Sequence, residues 1–300
     1  MKAMQDLEIF VRTVESGSLS AAARAFDMTP AAASAALKRL ELELQVPLFV
    51  RSTRSMRLTG EGEHFLGYCR AALDAMRDAQ AGLSGRSDIS GTLQITAPSD
   101  LGRNMLLGWL AEFGRQHPAI RYRLHLSDRM ADFYRQPVDI AIRYGEPQDS
   151  ALIALPLAPA NRRLLIASPE YLSAHAAPAS PRELGEHDCL CFMTGEDVHD
   201  RWKFRFGAER LTVRVRAAHV ANDGDVVRRW ALAGQGIAYK SGLDVSPDLA
   251  AGRLVQLCRE WEGEAAPLYL TCADRRQLTP AVKLLREFLT ARCAALALPV

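Results

Sequence analysis

A change of periodicity near residue 90 constrains the architecture of this chain more than any other feature of its sequence. Before it, apolar residues recur at helical spacing, as at Leu7, Phe10, Val11 and Val14. From Gly91 onward, short apolar runs alternate with longer helical patterns, an order typical of α/β domains. We therefore expect a helical N-terminal domain followed by an α/β region.

Strands and helices are expected to alternate through the α/β region. The predicted strands span residues 92–97, 120–126, 138–144, 163–168, 213–220, 236–239 and 268–273. The predicted helices span residues 101–116, 169–175, 223–233 and 280–296.

The first sixty residues predict three short helices. Ser20 can cap the second helix, and Thr29 can cap the third, with Pro30 at its first helical position. The apolar face of the third helix is expected to pack in a core and carries Ala33, Leu37, Leu40 and Leu44. Its opposite face carries Ser34, Ala35 and Lys38.

Beyond Pro47 the sequence predicts a strand pair and then a long helix. The run LFVRSTRSMRLT alternates and can turn back around residues 52–55. The helix is expected from about Gly60 to Ser84, with a 3-4 spaced seam of Leu66, Cys69, Leu73, Met76, Gln80 and Leu83. Because it is longer than most helices that only cover a core, we interpret it as a dimerising linker.

Length and composition exclude several classes of protein. A chain of 300 residues with 48% hydrophobic and 24% charged residues is globular, with room for two or three domains. No apolar run reaches the ~18 residues that cross a membrane, and Asp6, Glu8 and Arg12 interrupt any signal-peptide core. We expect a cytoplasmic protein with no membrane partner. The net charge of +2 does not by itself mark a nucleic-acid binder.

Cysteine spacing argues against a zinc ribbon and against a disulfide framework, because the six cysteines include no C-x-x-C pair. His187, Cys189, Cys191 and His199 nevertheless invite a metal or thiol-sensing interpretation. Cys189 and Cys191 lie two residues apart on a predicted strand, so both point to one face, for which a core position is preferred. We predict no metal and no cofactor, with thiol sensing as an alternative.

An ordered series of motifs carries a family resemblance. It begins with FVRTVESGSLSAAA and continues with T-P-x-x-x-S, R-L-E-x-x-L-x-V-P-L-F, R-x-x-R and L-T-x-x-G. GTLQITAP, DIAIRYGE, NRRLLIASPEYL, HDCL, ANDGD and LAGQGIAY follow in the α/β region. In this order, over nearly the whole chain, the motifs resemble the LysR-type transcriptional regulators.

The resemblance implies an α/β protein with an N-terminal winged helix-turn-helix. That DNA-binding domain would occupy residues 1–59 and a dimerising linker helix residues 60–87. Two α/β subdomains resembling periplasmic binding proteins would follow, the first at 91–159 and 267–300 and the second at 160–266. A ligand-responsive transcriptional regulator of this kind, which is not an enzyme, would bind an inverted-repeat operator in double-stranded DNA as a homodimer or homotetramer. A small-molecule co-inducer would bind between the subdomains, and RNA polymerase is a further expected partner.

The resemblance also assigns DNA-contacting positions on the third helix. The family often carries a glutamine, a proline, a serine and a cation there, and these positions fall on Pro30, Ala31, Ser34 and Ala35. Only Ser34 keeps its type, so hydrogen bonding to base edges must be sparse. Thr29, Ser34 and alanine methyl groups remain for the bases. Lys38, one turn beyond Ser34, is expected at a phosphate.

The predicted wing is richer in cations than the helix. The family's R-x-x-R falls on Arg51 and Arg54, and Arg57 follows. We expect Arg54 to enter a narrow A·T-rich minor groove, with Arg51, Ser18 and Lys38 at phosphates. Three arginines in a hairpin are also typical of a solvated surface, and an alanine-rich amphipathic helix of a packing helix.

Residues at predicted strand ends are candidates for an effector cleft. From the first subdomain they are Ser99, Asp100, Ser127, Arg143 and Tyr144, and from the second Phe192, Asn222 and Tyr239, with Asp223 beside them. Ser99 is preferred, because a helix start offers N–H groups to a carboxylate, whereas Asp100 equally suits a cap. Arg143 has an alternative role in a salt bridge to Asp139 or Asp128, and Trp202 suits the core better than a stacking role. A small polar or aromatic molecule is expected.

Two other functions are weighed against a regulator. A cytoplasmic small-molecule-binding module could use the N-terminal domain only for oligomerisation, which the sparse polar groups of residues 29–43 favour and the wing arginines disfavour. An enzyme is disfavoured because the chain has no G-x-S-x-G, G-x-x-x-x-G-K or H-E-x-x-H motif and no dinucleotide fingerprint.

Overall fold

The computed structural model describes residues 2–51, 56–83, 89–128, 138–147 and 152–296. The chain divides into two compact units, Met1–Ile89 and Ser90–Val300. The first is mainly helical and the second is α/β, as the change of periodicity predicts. Among the described residues, no helix is both long enough and apolar enough to cross a membrane.

The N-terminal unit contains helices and one pair of strands. The elements are α1 Lys2–Ser16, α2 Leu19–Ala25, α3 Pro30–Leu44, β1 Phe49–Arg51, β2 Met56–Leu58 and α4 Gly60–Leu83. β1 and β2 pair antiparallel with Val50 opposite Arg57, which confirms the predicted hairpin. Its turn, residues 52–55, lies outside the described residues.

Serine and threonine side chains determine where α2 and α3 begin. The Ser18 hydroxyl accepts a hydrogen bond from the Ala21 N–H at 3.3 Å, so Ser18 caps α2 and the prediction of Ser20 is wrong. The Thr29 hydroxyl accepts from the Ala32 N–H at 3.2 Å, which confirms the predicted cap of α3.

Small side chains bring α3 close to the rest of the N-terminal core. Ala33, Ala36 and Leu37 are fully buried, Leu40 is buried and Leu44 is half-buried. They pack in a cluster that includes Ile9, Phe10, Ala23, Leu48, Phe49 and Cys69. The predicted apolar face of α3 is therefore confirmed, and its alanines allow the closely packed interior that proteins require.

The first half of the predicted seam on α4 is used within the N-terminal unit itself. Leu66 and Cys69 pack against the same cluster, and Leu73 is buried. Met76 is exposed, and the side chains of Gln80 and Leu83 lie outside the described part of the chain. The dimerising role of α4 stays a prediction.

A first sheet organises one part of the C-terminal unit. In spatial order it contains β4 Ile120–Leu126, β3 Gly91–Ala97, β5 Ile140–Tyr144, β16 Leu268–Cys272 and β6 Ile153–Ala158. β3 is parallel to β4 and β5, and β16 is antiparallel to β5 and β6. The carboxyl ends of β3, β4 and β5 therefore lie at one edge.

A second sheet repeats this arrangement. Its order is β12 Ala217–Ala221, β8 Cys189–Thr194, β13 Ile237–Ser241, β7 Arg163–Ala167 and β14 Val255–Leu257, with β9 Asp197–Val198 beside β8. β12, β8 and β13 are parallel, whereas β7 is antiparallel to β13 and β14. A smaller antiparallel sheet contains β11 Glu209–Arg214, β10 Arg201–Phe206 and β15 Glu262–Gly263.

Helices follow the strands of both sheets. After β3, α5 Ser99–Leu101, a π-helical turn Gly102–Leu106 and α6 Leu107–Gln116 run without interruption. The other helices are α7 Pro169–Ala174, α8 Gly224–Leu232, α9 Gly242–Ala250 and α10 Pro280–Ala294, with 3-10 turns at Pro181–Glu186 and Arg275–Gln277.

Most predicted elements are confirmed within two or three residues, but one strand is wrong. The predicted strand 213–220 is two strands, because β11 ends at Arg214 and pairs with β10, whereas β12 pairs with β8 in another sheet. The sequence patterns also miss the helix α9 and the strands β6, β9, β10, β14 and β15. β6 contains Pro156 and α9 contains Pro247, and proline obscures strand and helix patterns alike.

Asn161 fixes the place where the chain crosses between the two sheets. Its side-chain amide donates to the Ala266 carbonyl at 2.6 Å and the Ser241 hydroxyl at 2.9 Å. Its side-chain oxygen accepts from the Leu243 N–H at 3.0 Å. The residue is 1% exposed, so these bonds tie the two segments in which the chain crosses between the sheets, residues 159–162 and 264–267, to the start of α9 away from water.

Two glycines of α4 provide a matched test of packing in the N-terminal unit. A Cβ on Gly62 would lie 2.2 Å from the Leu48 carbonyl oxygen, whereas a Cβ on Gly67 would meet nothing within 4 Å. We expect Gly62→Ala to destabilise the unit by about 2 kcal/mol or more and Gly67→Ala to stabilise it by about 0.5–1 kcal/mol. Hydrogen exchange at α1 and α3 amides measures both effects. Equal protection in the two variants would contradict the close approach of α4 to Leu48.

Candidate functional site

The outward face of α3 in the N-terminal unit is small and largely apolar. Thr29, Pro30, Ala31, Ala35 and Lys38 are exposed, and Ser34 is half-buried. Leu42, 76% exposed, extends this face toward the end of the helix. The structure thus gathers the predicted α3 residues on one surface, where Lys38 is exposed.

Arg39, which is also exposed, is oriented toward α1 by an ion pair. Its Nε and Nη2 donate to the two oxygens of Asp6 at 3.1 and 2.7 Å, which joins α3 to α1. Bidentate pairs of this kind hold guanidinium groups in a fixed orientation. Arg39 therefore stabilises the unit, and Lys38 is the better candidate for a phosphate contact.

The remaining predicted DNA contacts lie at α2 and the wing. Ser18 is half-buried and its hydroxyl caps α2, so its backbone and its hydroxyl already have roles. Arg51 ends β1, and its side chain lies outside the described part of the chain, as does the whole of Arg54. Arg57, in β2, is exposed.

In the C-terminal unit, the carboxyl ends of parallel strands from both sheets face each other. Ser99 and Asp128 follow β3 and β4 of the first sheet, and Asp223 and Gly224 follow β12 of the second. We call this region the junction. Side chains from both sheets make direct contact there, as the cleft hypothesis expects from strand ends of this topology.

Asp128 is the centre of the junction. Its Oδ1 accepts from the Ser99 N–H at 2.7 Å, and its Oδ2 accepts from the Gly224 N–H at 2.8 Å and from the Ser99 hydroxyl. These donors lie at the starts of the helical segment after β3 and of α8, where the N–H groups favour an anion. A carboxylate of the chain itself therefore occupies the position that the sequence assigns to an effector carboxylate.

The π-helical turn sends two side chains across the junction. Arg103 Nη1 donates to both oxygens of Asp223 at 3.0 and 2.9 Å, and Asn104 donates to Asp225 at 2.9 Å. Burial alone would raise the pKa of Asp223, but hydrogen bonds from Arg103 and from the Val226 N–H lower it below its ordinary value. These contacts favour ionised carboxylates and join the first sheet's helix to α8.

Lys240 lies deeper in the junction. Its Nζ is 2.5 Å from Asp100 Oδ2 and 3.2 Å from Asp244 Oδ2, and it donates to the Gly224 carbonyl at 2.8 Å. Burial would lower the pKa of Lys240, yet the two carboxylates raise it overall. A Cβ on Gly224 would lie 2.7 Å from Asp100 Oδ2, so only glycine permits this approach.

Asp244 carries the largest cost of this arrangement. It is fully buried, and burial together with the charge of Asp100 raises its pKa to about 7, against the opposing charges of Lys240 and Arg228. Arg228 itself pairs with Asp248 at 2.6 Å. Asp100 is therefore an internal ion-pair partner through Oδ2, while its Oδ1 accepts from the Leu101 N–H at 2.7 Å at the start of the helical segment.

Arg143 and Tyr144 lie at the end of β5, near the same carboxylates. Arg143 Nη2 donates to the Thr96 hydroxyl at 2.8 Å, and burial lowers the pKa of Arg143 to about 10, against the charge of Asp128. Of the two carboxylates considered for Arg143, Asp128 thus interacts with its charge, and Asp139 accepts from the Gln94 N–H at 2.7 Å. Burial raises the pKa of the Tyr144 hydroxyl well above 10, with added effects of Asp100 and Asp244.

The remaining predicted effector residues differ in burial and in what they contact. Ser127 is half-buried at the end of β4, where its N–H donates to the Ala97 carbonyl at 2.9 Å. Phe192 is half-buried and packs against the apolar cluster under α8. Asn222 is exposed, directly before Asp223.

Tyr239 requires a correction. Its side chain is 4% exposed and packs in a core cluster with Trp202 and Phe204. Its hydroxyl donates to the Lys203 carbonyl at 2.7 Å and accepts from the Glu264 N–H at 2.5 Å. Because strand side chains alternate between faces, Lys240 points to the junction and Tyr239 points away. The core role of Trp202 is confirmed.

The cysteine and histidine group is also part of this core. Cys189 and Cys191 are buried in the cluster, and burial raises their pKa values to about 12 and about 11. His187 Nδ1 lies 3.1 Å from the Tyr171 hydroxyl, and His199 pairs with Glu264 at 3.2 Å. Cysteines with such raised pKa values stay almost entirely in the weakly reactive thiol form near pH 7, which argues against thiol sensing at this pair.

Sequence patterns miss several junction residues, which are Arg103, Asn104, Asp225, Arg228, Lys240 and Asp244. The sequence suggests Asp128 only as a salt-bridge partner of Arg143. One signal is present in GIAYKS, where a lysine interrupts a buried strand and needs a counter-ion. The other residues lie on helix faces that the sequence does not orient toward a partner sheet.

Comparisons with known proteins agree with this two-unit organisation. Residues 4–63 match the family described as bacterial regulatory helix-turn-helix protein, lysR family. Residues 86–294 match the LysR substrate binding domain. The chain is 31% identical over 293 residues to the HTH-type transcriptional activator TtdR of Escherichia coli (strain K12), covering 96% of this chain and 93% of TtdR.

Solved structures give the same result. CrgA, a LysR-type transcriptional regulator from Neisseria meningitidis, is similar with a TM-score of 0.62 and 31% identity, over 96% of this chain and 98% of that one. The full-length Vibrio cholerae virulence activator AphB is similar with a TM-score of 0.57 and 26% identity, over the same shares of the two chains. The resemblance stated from the motifs is confirmed.

The raised pKa of Asp244 predicts a pH dependence of stability. The folded state keeps a proton on Asp244 up to about pH 7, whereas the unfolded state loses it near pH 4. The contribution of Asp244 to the free energy of unfolding therefore falls as pH rises from 4 to 7, by about 2–4 kcal/mol. In Asp244→Asn this fall is absent. The free energy of unfolding of wild type minus that of the variant therefore decreases as pH rises from 4 to 7.

Urea unfolding followed by tryptophan fluorescence measures this difference, because all four tryptophans lie in the C-terminal unit. Asp274→Asn is the control, since Arg276 lowers the pKa of Asp274 and the sign of its contribution is opposite. If the difference in free energy of unfolding between wild type and Asp244→Asn stays constant between pH 4 and 7, the raised pKa of Asp244 is contradicted.

Proposed function

We infer the function of this chain from its family: it belongs to the LysR-type transcriptional regulators, which combine a helix-turn-helix DNA-binding domain with an effector-binding domain. The protein is a ligand-responsive, DNA-binding transcriptional regulator that acts as an oligomer, and it is not an enzyme. Its two units divide these tasks, since residues 4–63 match the DNA-binding domain and residues 86–294 the effector-binding domain.

We propose that α3 enters the major groove with its alanine face toward the bases. The observation that carries this proposal is the exposed run Ala31, Ala35 and Lys38 opposite a fully buried face. Alanine methyl groups can contact thymine methyl groups, Ser34 and Thr29 offer short hydroxyls, and Lys38 reaches a phosphate. Such a helix fits the groove closely but distinguishes few base pairs.

Sequence discrimination then comes from the wing and from dimer geometry. Arg54 is proposed in the minor groove, with Arg51 and Ser18 at phosphates. Two copies, dimerised through the linker helix at residues 60–87, would read an inverted repeat through the spacing of its half-sites. We propose a dimer or tetramer working in the cytoplasm on bacterial DNA, with RNA polymerase as a further partner.

The effector site is proposed at the junction, between a first subdomain at residues 91–159 and 267–300 and a second at residues 160–266. Convergence of polar groups from two sheets, with perturbed pKa values at Arg143, Asp223 and Asp244, supports this location. Ser99, Arg143 and Tyr144 are the proposed contacts from the first subdomain, and Phe192 and Asn222 those from the second. No cofactor is proposed.

Lys38 is tested by the salt dependence of DNA binding. Lys38→Ala should weaken binding to every duplex, and the slope of log K against log salt should fall by about 0.9 per lost phosphate contact, or roughly 2 for a dimer. The matched control is Arg12→Ala, since Arg12 carries the same charge on α1 and pairs with Glu15. Fluorescence anisotropy over a salt series measures both. An unchanged slope for Lys38→Ala would remove Lys38 from the interface.

Arg54 is tested by the base composition of the operator flanks. Wild type should prefer A·T flanks to G·C flanks, because a narrow minor groove attracts arginine. Arg54→Ala should weaken binding to the A·T duplex by roughly tenfold and abolish the preference. Arg54→Lys keeps the charge and should retain part of both. If Arg54→Ala binds the A·T duplex as tightly as wild type, the minor-groove role is wrong.

A further inference from the structure

Three donors at the junction converge on a single carboxylate of the chain. The Ser99 N–H and the Gly224 N–H reach Asp128 at 2.7 and 2.8 Å, and the Ser99 hydroxyl donates to the same group. Two of these donors belong to the first sheet and one to the second. Asp128 thus bridges the two sheets in the way that a bound carboxylate would.

We propose that Asp128 is a specificity-determining residue, a tethered carboxylate that fills the anion position of the effector cleft and excludes anionic effectors from it. The inference rests on the proposed effector site at the junction. It assigns this regulator an effector that is uncharged where it lies beside Ser99 and Gly224, because Asp128 already accepts from these donors and would repel an anion placed next to them.

Charge balance around Asp128 supports exclusion. Among the described residues, the cations around this position already have carboxylates. Arg103 donates to Asp223, Arg229 donates to Asp225, and Lys240 pairs with Asp100. The charge of Arg143 interacts with Asp128 itself. An added anion would therefore meet Asp128, Asp223 and Asp225 without gaining a described cation that is not already paired, and like charges at close range repel.

Tethering gives Asp128 an advantage over any free anion. A carboxylate attached to the end of β4 acts at an effective concentration in the millimolar range or above, whereas a free anion also loses translational freedom on binding. A free anion must therefore bind unusually tightly to displace Asp128 from this position. Removing the carboxylate, by contrast, should leave a vacant position lined by the three donors.

Chemical rescue tests the proposal on the full chain. Asp128→Ala is expected to lower Tm by roughly 5 °C, because three donors lose a charged acceptor. Replacing chloride by about 50 mM formate at constant ionic strength should restore at least half of this loss. Formamide, a neutral molecule of similar size, should restore less. Wild type should shift by less than about 1 °C in formate.

Two further variants control the experiment. Asp188→Ala removes a surface carboxylate that pairs with Arg216, and formate should not rescue it. Asp128→Asn keeps the volume and should lose stability without rescue, because the amide leaves no space for formate. If Asp128→Ala does not fold in chloride, recovery of folded protein on refolding in formate supports the proposal, and failure to recover contradicts it.

The outcomes separate this inference from the proposed function. Absence of formate rescue in Asp128→Ala, or equal stabilisation of wild type by formate, overturns the role of Asp128 and leaves DNA binding unaffected. Loss of sequence-dependent DNA binding by wild type would contradict the regulator mechanism while the rescue result still stands. Rescue together with wild-type indifference to formate supports an uncharged effector at this position.

Discussion

A buried ammonium group in the middle of a sheet determines how the two sheets of the C-terminal unit can meet. Lys240 is 5% exposed, and its charge is compensated by Asp100, which follows β3 of the first sheet. Asp244 on α9 lies 3.2 Å away and adds its charge once it loses its proton. Desolvating an ion costs several kcal/mol, and a buried pair recovers that cost only with good geometry. Separating the sheets would remove Asp100 from Lys240, and water would have to replace it. In the proposed open arrangement, water would replace these ion pairs, so closure would exchange hydration for ion pairs. An effector that binds one of the two arrangements more tightly would shift the balance between them.

The junction and the crossings of the chain have different mechanical roles. Asn161, fully hydrogen-bonded and buried, fixes the two crossing segments to α9, so relative motion of the sheets would pivot near this residue. Asp128 and Arg103 lie where strand ends meet, and their contacts to Gly224 and Asp223 are made only when the sheets are close. A ligand alters a conformational equilibrium only through contacts that differ between the states. The groups that meet these conditions are the junction side chains, which makes them the elements through which binding can be coupled to the rest of the regulator.

The sequence predicts the fold well because periodicity and motif order are local properties. The buried face of α3, the cap at Thr29 and the parallel order of β3, β4 and β5 follow from them. The junction is less predictable, since a shift of one residue in a strand exchanges its two faces. Tyr239 and Lys240 illustrate this: an aromatic hydroxyl looks like a ligand contact, yet the lysine faces the cleft and the tyrosine the core. Ser18 and Ser20 present the same difficulty, because both can cap a helix and only the backbone selects between them. Long-range pairs such as Arg103 with Asp223 depend on tertiary packing and leave no local pattern.

The alanines of α3 serve two physical purposes, and their division explains how so plain a helix can belong to a DNA-binding protein. Ala33 and Ala36 are buried, where their small volume lets α3 pack closely on its neighbours. Ala31 and Ala35 are exposed, and in the proposed DNA complex their small volume would let the backbone approach the floor of a groove. Arg39, which could have added a base contact, is instead held by Asp6 and joins α3 to α1. The helix is thus built for rigid placement more than for side-chain readout. Rigid placement gains specificity only when two copies are held at a fixed separation, so in the proposed dimer the half-site spacing would contribute what the helix surface lacks.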